Sequence, residues 1–309
     1  MKKILPGLLM IVLFSNSYFS SAQLLLNSYN MVTNESIGID LTVKTAKLPN
    51  GVQLEYAEQG SFTGTPVILL HGLSDSWHSF ETVLSFLPDN IHAFAISQRG
   101  HGDSDRPLTG YTASDFAGDV AVFIQLLGLK SAFIVGHSMG GVIVQQFAIT
   151  YPQLVKGIVI IDSDASFKDN PGFPEFYNEV MKLSGPLDRK FMDDFQKSTL
   201  ANPIDPVYYN TLVAEGMKVP ASIFKAACTG IIEADFRNDL KQIKTPSLLL
   251  WGEKDIFCSL ADQEILAAGI EDAKLVVYEG TGHALHWEKP ARFADDLLHF
   301  IKTSLIHTK

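Results

Sequence analysis

The chain has 309 residues, 46% of them hydrophobic, enough for a full core and a small extra subdomain. Its formal net charge is −10 with no basic patch, which argues against nucleic acid as a partner and disfavours adhesion to anionic membranes. Two cysteines, Cys228 and Cys258, do not make a disulfide scaffold. Either they pair with each other or both are buried small hydrophobes, and neither has the setting of a nucleophile.

At the N-terminus, Lys2 and Lys3 precede an apolar stretch over residues 4–14, then a polar segment ending Phe19-Ser20-Ser21-Ala22. A positive end, an apolar centre and small residues at the −3 and −1 positions have the order of a secretory signal peptide. The expectation is cleavage after Ala22 and a secreted or periplasmic protein. The apolar stretch falls short of the roughly 20 residues a membrane-spanning helix needs, so no stable membrane insertion is expected once the signal is removed.

Residues 23–35 show no strong period. Residues 38–43, then Pro49-Asn50-Gly51, then residues 52–56 read as an antiparallel hairpin with one exposed face. Residues 66–70 form a continuous apolar run bounded by Pro and Gly, which suits a strand buried on both faces. A helical pattern covers residues 77–87, and another strand covers 91–96. Residues 112–127 form an amphipathic helix with Thr112 as N-cap and Gly128 at its end. A strand over 132–135, a helical pattern from Val142 and a buried strand over 157–161 follow. This alternation predicts an α/β fold with a parallel sheet covered by helices on both faces.

Between Ser163 and Arg237 the alternation stops, and six prolines punctuate short amphipathic helical segments without strand signal. The pattern predicts a helical cap inserted over residues 164–236, dividing a core into residues 23–163 and 237–309 after the signal at 1–22. The strand–helix pattern resumes with a strand at 247–251, a helix at 260–268, a strand at 274–278 and a final helix at about 290–305.

The chemistry centres on Gly136-His137-Ser138-Met139-Gly140, set between the strand at 132–135 and the helix that follows it. A G-x-S-x-G motif in that context is a sharp turn that lifts a serine hydroxyl clear of the sheet, which makes Ser138 the candidate nucleophile. Such a hydroxyl needs a base within hydrogen-bond reach, and histidine suits the task. His283 follows a strand into a glycine-flanked loop at the carboxyl edge of the sheet, the edge that carries Ser138. His286 shares the loop as a packing or site-lining residue. The pair of histidines lacks a third ligand, so no metal is expected.

Asp255, after the strand at 247–251, is the favoured carboxylate to orient the base, and Asp162, after the strand at 157–161, is its rival. The amides of Met139 and Leu73 are the candidate oxyanion hole, Leu73 lying in His71-Gly72-Leu73 after the first buried strand. Trp77, His137, Phe224 and His286 are candidate substrate-binding residues. Phe173, Phe176 and Phe191 are further apolar residues from the cap.

Taken together, His71-Gly72, Arg99-Gly100-His101-Gly102-x-Ser104, Gly136-x-Ser138-x-Gly140, Trp251-Gly252-x-x-Asp255 and Gly282-His283 resemble the α/β-hydrolase superfamily, in its capped esterase, lactonase and perhydrolase branch. The resemblance implies a mostly parallel eight-stranded sheet with an inserted helical cap. It further implies acyl transfer through an acyl-enzyme on a small ester or lactone, without metal or organic cofactor. Relatives with epoxide hydrolase or haloalkane dehalogenase activity carry aspartate where this chain has Ser138. Two alternatives share the fold: a perhydrolase or C–C bond hydrolase on the same triad, and a slow-turnover ligand sensor.

Overall fold

The computed structural model describes residues 41–307 apart from Pro171. The expected signal peptide, its cleavage site and residues 23–40 lie outside the described residues.

Among the described residues the sheet has eight strands in the order β1-β2-β4-β3-β5-β6-β7-β8. The hairpin forms from β1 (Thr42–Lys47) and β2 (Gln53–Gln59), with Lys47 opposite Gln53 and Thr42 opposite Glu58. Its first strand hugs the Pro49-Asn50-Gly51 turn more closely than the sequence pattern suggested. Antiparallel pairing from a tight turn starts with the residues that flank it, and Leu48 N donates to Val52 O across this one. β2 also pairs antiparallel with β4 (Ile91–Ile96), and all later pairings are parallel.

The central strands are β3 (Thr65–Leu70), β5 (Ala132–His137) and β6 (Val155–Ile161). Residues 67–70, 132–135 and 158–161 are all 0% exposed, so helices cover both faces of the sheet, as continuous apolar runs require. From β3 the chain crosses to β4 on one side, then returns through β5 on the other. The carboxyl ends of β3 and β5 therefore border the crevice where strand order reverses, the usual ligand position in open α/β sheets.

The stretch read as a helix over residues 77–87 is a 3-10 turn, Trp77–Phe80, followed by the short helix α1 (Glu81–Leu84). The Ser79 carbonyl accepts from Tyr208 Oη and Trp287 Nε1, and these side-chain bonds compete with a regular ladder at this turn. Helix α2 (Ala113–Leu126) opens on a capping box between Thr112 and Asp115, and α3 (Met139–Thr150) begins directly after Ser138.

Between β6 and β7 (Ser247–Gly252) lie α4 (Phe173–Lys182), α5 (Arg189–Ser198), α6 (Pro206–Gly216) and α7 (Ala221–Glu233). Asp188 and Asp205 cap α5 and α6, and Pro206 occupies a first-turn position where its missing N–H costs nothing. The two ends of the insertion meet in a bridge between Ser166 and Asp235, backed by Phe236 N donating to Ala165 O at 2.8 Å. The chain finishes with α8 (Leu260–Gly269), β8 (Ala273–Tyr278), α9 (Leu285–Glu288) and α10 (Pro290–His307). Cys228 and Cys258 are both free and buried. No described helix is long and apolar enough to cross a membrane.

Candidate active site

Ser138 stands at φ +52°, ψ −113°, between the last residue of β5 and the first of α3. A non-glycine residue in this region stores on the order of 1–3 kcal/mol, held by its surroundings. Here its amide donates to Ile161 O at 2.9 Å and its carbonyl accepts from Ser163 Oγ at 2.8 Å. The flanking glycines permit the crossing: a Cβ on Gly136 would lie 2.1 Å from Gly140 O, and one on Gly140 would lie 2.2 Å from Leu70 O. Ser138 makes no capping bond with its side chain and is half-buried.

At the ends of β7 and β8, His283 Nδ1 meets Asp255 Oδ2 at 2.8 Å. The carboxylate only accepts, so Nδ1 carries the hydrogen and Nε2 presents its lone pair. Asp255 Oδ1 takes two backbone amides, Phe257 at 2.7 Å and Cys258 at 3.2 Å, which fixes the carboxylate as it fixes the ring. The rival acid, Asp162, takes Gly252 N on Oδ1 and has no bond to His283. Burial, with the nearby Asp255 charge, holds the Asp162 carboxyl well above the usual range. Asp164, hydrogen-bonded by Asn170 Nδ2, is pushed by burial up to about 8.

Ligand atoms of Asp255, Cys258 and His283 lie within 4.8 Å of one another. They suit a metal poorly: two of them are bonded to each other, and burial raises the Cys258 thiol well above its ordinary value.

After β3, His71 Nε2 accepts from Gln98 N at 3.0 Å, so Nδ1 donates to Gly72 O at 2.7 Å and the turn is locked from both ring nitrogens. Leu73 and Met139 are buried at 6% and 2% exposure, and neither amide donates a hydrogen bond among the described residues. The Met139 amide is one of the donors that the start of a helix leaves without an intrahelical partner.

His137 and His286, candidate substrate-binding residues, are both buried and bonded to neighbouring protein groups. His137 Nε2 donates to the His283 carbonyl at 2.9 Å, while His286 Nε2 pairs with Ser79 Oγ at 3.1 Å and its ring packs on Phe80. Burial pushes His286 down to about 3 and His137 well below its ordinary value, so both are neutral struts. His286 thus takes the packing role that was one of its two expected ones, with Phe80 and Trp287 against its ring.

Trp77 is buried with its ring stacked on His78 at 3.8 Å. Phe224 is fully buried against Phe191 and Phe195. Phe195 and Phe176 in turn contact Phe257, whose ring lies 4.8 Å from that of His283. The aromatic side chain beside His283 is thus Phe257, two residues past Asp255, which pattern alone did not single out.

Glu288 was also missed. Its Oε1 accepts from Gly282 N and Ala201 N, both at 2.9 Å, and its Oε2 accepts from Asn202 Nδ2. With Ala284 N donating to Thr199 O at 3.0 Å, the insertion is strapped to the loop that carries His283.

The profile of a family described as alpha/beta hydrolase fold matches residues 65–290. The non-heme chloroperoxidase of Streptomyces lividans is 29% identical over 285 residues, 84% of this chain and 99% of that protein. Lipase 1 of Psychrobacter immobilis is 27% identical over 254 residues, covering 79% of each chain. The solved structure of an esterase from Exiguobacterium antarcticum aligns with a TM-score of 0.77 at 21% identity, covering 84% of this chain and 100% of that one, a likeness of fold. The chain belongs to the alpha/beta hydrolase family.

Proposed function

We propose that this protein is an exported serine hydrolase that cleaves small carboxylic esters or lactones. The observation that carries the reading is the His283–Asp255 bond of 2.8 Å, which fixes the tautomer a general base needs at the sheet edge that also bears the strained Ser138. In this reading His283 Nε2 takes the Ser138 proton as Oγ attacks the carbonyl carbon. The amides of Leu73 and Met139 hold the oxyanion, and Asp255 stabilises the imidazolium. His283 then returns the proton to the leaving alcohol. Water, deprotonated by His283, attacks the acyl-enzyme and releases the acid and Ser138.

A second reading comes from the likeness to a protein named as a chloroperoxidase. Hydrogen peroxide would replace water in deacylation, so that the acyl-enzyme yields a peracid and free Ser138. The test is kcat/KM on an acyl-length series of chromogenic esters and a few lactones, with and without peroxide. The expected result is turnover that Ser138→Ala lowers by about 10⁴-fold or more. Turnover surviving that substitution would refute the mechanism, and peracid as the main product would favour the second reading.

A further inference from the structure

The turn that offers the Leu73 amide contains a buried acid that the mechanism leaves unused. Asp75 is 2% exposed, its amide donates to Gly72 O at 3.3 Å, and the intervening Ser74 is held at φ +70°. Its Oδ1 accepts from Nε2 of Gln196, a fully buried residue of α5, at 3.0 Å. Its Oδ2 lies 3.9 Å from Nδ1 of His137. His137 Nε2 donates to a carbonyl, so Nδ1 is a bare lone pair, and it is buried without a partner. Two acceptors therefore face each other just beyond hydrogen-bond length, and a negative charge on the carboxyl is costly beside a buried lone pair. The backbone of the turn rests on this pair: a methyl on Gly72 would lie 2.8 Å from His137 Nδ1 and 3.1 Å from Asp75 Oδ2.

We propose that Asp75 is a positioning residue for the reaction, acting as a neutral, proton-bearing acid that braces the Gly72–Leu73 turn between His137 and Gln196. The inference rests on the serine-hydrolase reading, because the Leu73 amide matters only if an oxyanion forms. Groups face Asp75 from every packed element: His137 from β5, His283 from the loop after β8 and Tyr208 from α6. Gln196 faces it from α5, and the Gly72 amide and Ser79 hydroxyl from its own loop. Burial outweighs the donors among them and raises the Asp75 carboxyl to about 7. Below that pH the acid is neutral and sets no charge beside the unpartnered His137 lone pair. Above it, a buried anion lies beside the place where the reaction develops negative charge, and kcat falls.

The test is the pH dependence of kcat and KM for wild type, Asp75→Asn and Asp75→Ala on the best ester of the series, with thermal melting of each protein. A carboxamide can accept from Gln196 with its oxygen and sets an uncharged N–H donor group on the side of His137 Nδ1. Asp75→Asn should therefore keep kcat within a few-fold and lose the decline above about pH 7. Asp75→Ala should lower kcat by about 10- to 100-fold with little change in KM.

Asp75→Asn as impaired as Asp75→Ala would overturn the proposal, since the working form would then be the carboxylate. So would an Asp75→Asn profile that still declines like wild type. Should Asp75→Ala fail to fold, the two remaining profiles decide the question. Ser138→Ala runs alongside: activity surviving there sinks the serine reading, whereas its loss together with a failed Asp75 prediction sinks only this inference.

Discussion

His283 has its proton placed by Asp255, and Asp255 has its own position set by two backbone amides. Asp162 and Asp164 have no cationic partner among the described residues, and burial raises both carboxyl groups above the ordinary range, while the carboxyl group bonded to His283 is Asp255. The sign of the consequence follows from proton binding. Asp164 titrates near 8 in the folded protein and near 3.8 in the unfolded chain, so the folded state holds the extra proton between those values. Stability from this group is fully present below about pH 4 and lost by about pH 8. Asp164→Asn should keep the Asn170 contact through its carbonyl oxygen and remove this loss. Urea unfolding at pH 5 and pH 9 should show a smaller drop for the variant, by on the order of a few kcal/mol. An equal drop in both proteins would contradict the assignment.

The candidate site residues that the sequence singled out are those whose backbone setting is itself a pattern. Ser138 follows a strand and precedes a helix, and Asp255 and His283 each lie in the loop that follows a strand. Asp75, Gln196, Phe257 and Glu288 had no such signal. Each matters through a partner far away in sequence, as with Gln196 and Asp75, 121 residues apart.

At the scale of elements, the strand–elbow–helix unit leaves no room for a side chain where β5 passes into α3. Gly140 is the tightest test outside Gly136, because an added methyl would sit 2.2 Å from the Leu70 carbonyl, and a backbone atom of a central strand cannot yield as a side chain can. Gly140→Ala should cost more than about 3 kcal/mol in chemical denaturation, or prevent soluble expression. A loss below about 1 kcal/mol would mean that the elbow is looser than its geometry states. Buried strands were the best-read elements, since a continuous apolar run between turn residues has few other uses in a chain of this length. Two elements were misplaced for local reasons. The hairpin strand was drawn too far from its turn, and side chains from Tyr208 and Trp287 compete for the Ser79 carbonyl where a longer helix was expected.

For the molecule as a whole, sheet order and insertion divide the work. The reversal of strand order between β3 and β5 creates the crevice, and strand ends supply Ser138, Asp255 and His283. The insertion reaches that crevice at two polar anchors, Gln196 on Asp75 and residues 199–202 on the loop of His283. Prolines made the inserted segment visible in the sequence, but its anchors depend on tertiary placement that no local pattern encodes. Glu288→Ala removes the shared acceptor of Gly282 and Ala201, freeing the loop that holds the base. Turnover should fall by about tenfold with a smaller change in melting temperature, as expected when a reacting group is misplaced rather than lost. An unaltered kcat would show that the strap does not position His283.

The most direct measurement of the central claim is covalent trapping. A fluorophosphonate that mimics the acyl-transfer intermediate should add once to the protein, and peptide mass mapping should place the adduct on Ser138. Ser138→Ala should take up none, and His283→Ala should react far more slowly because no base activates the hydroxyl. An adduct on another residue, or labelling of Ser138→Ala at the wild-type rate, would contradict the account.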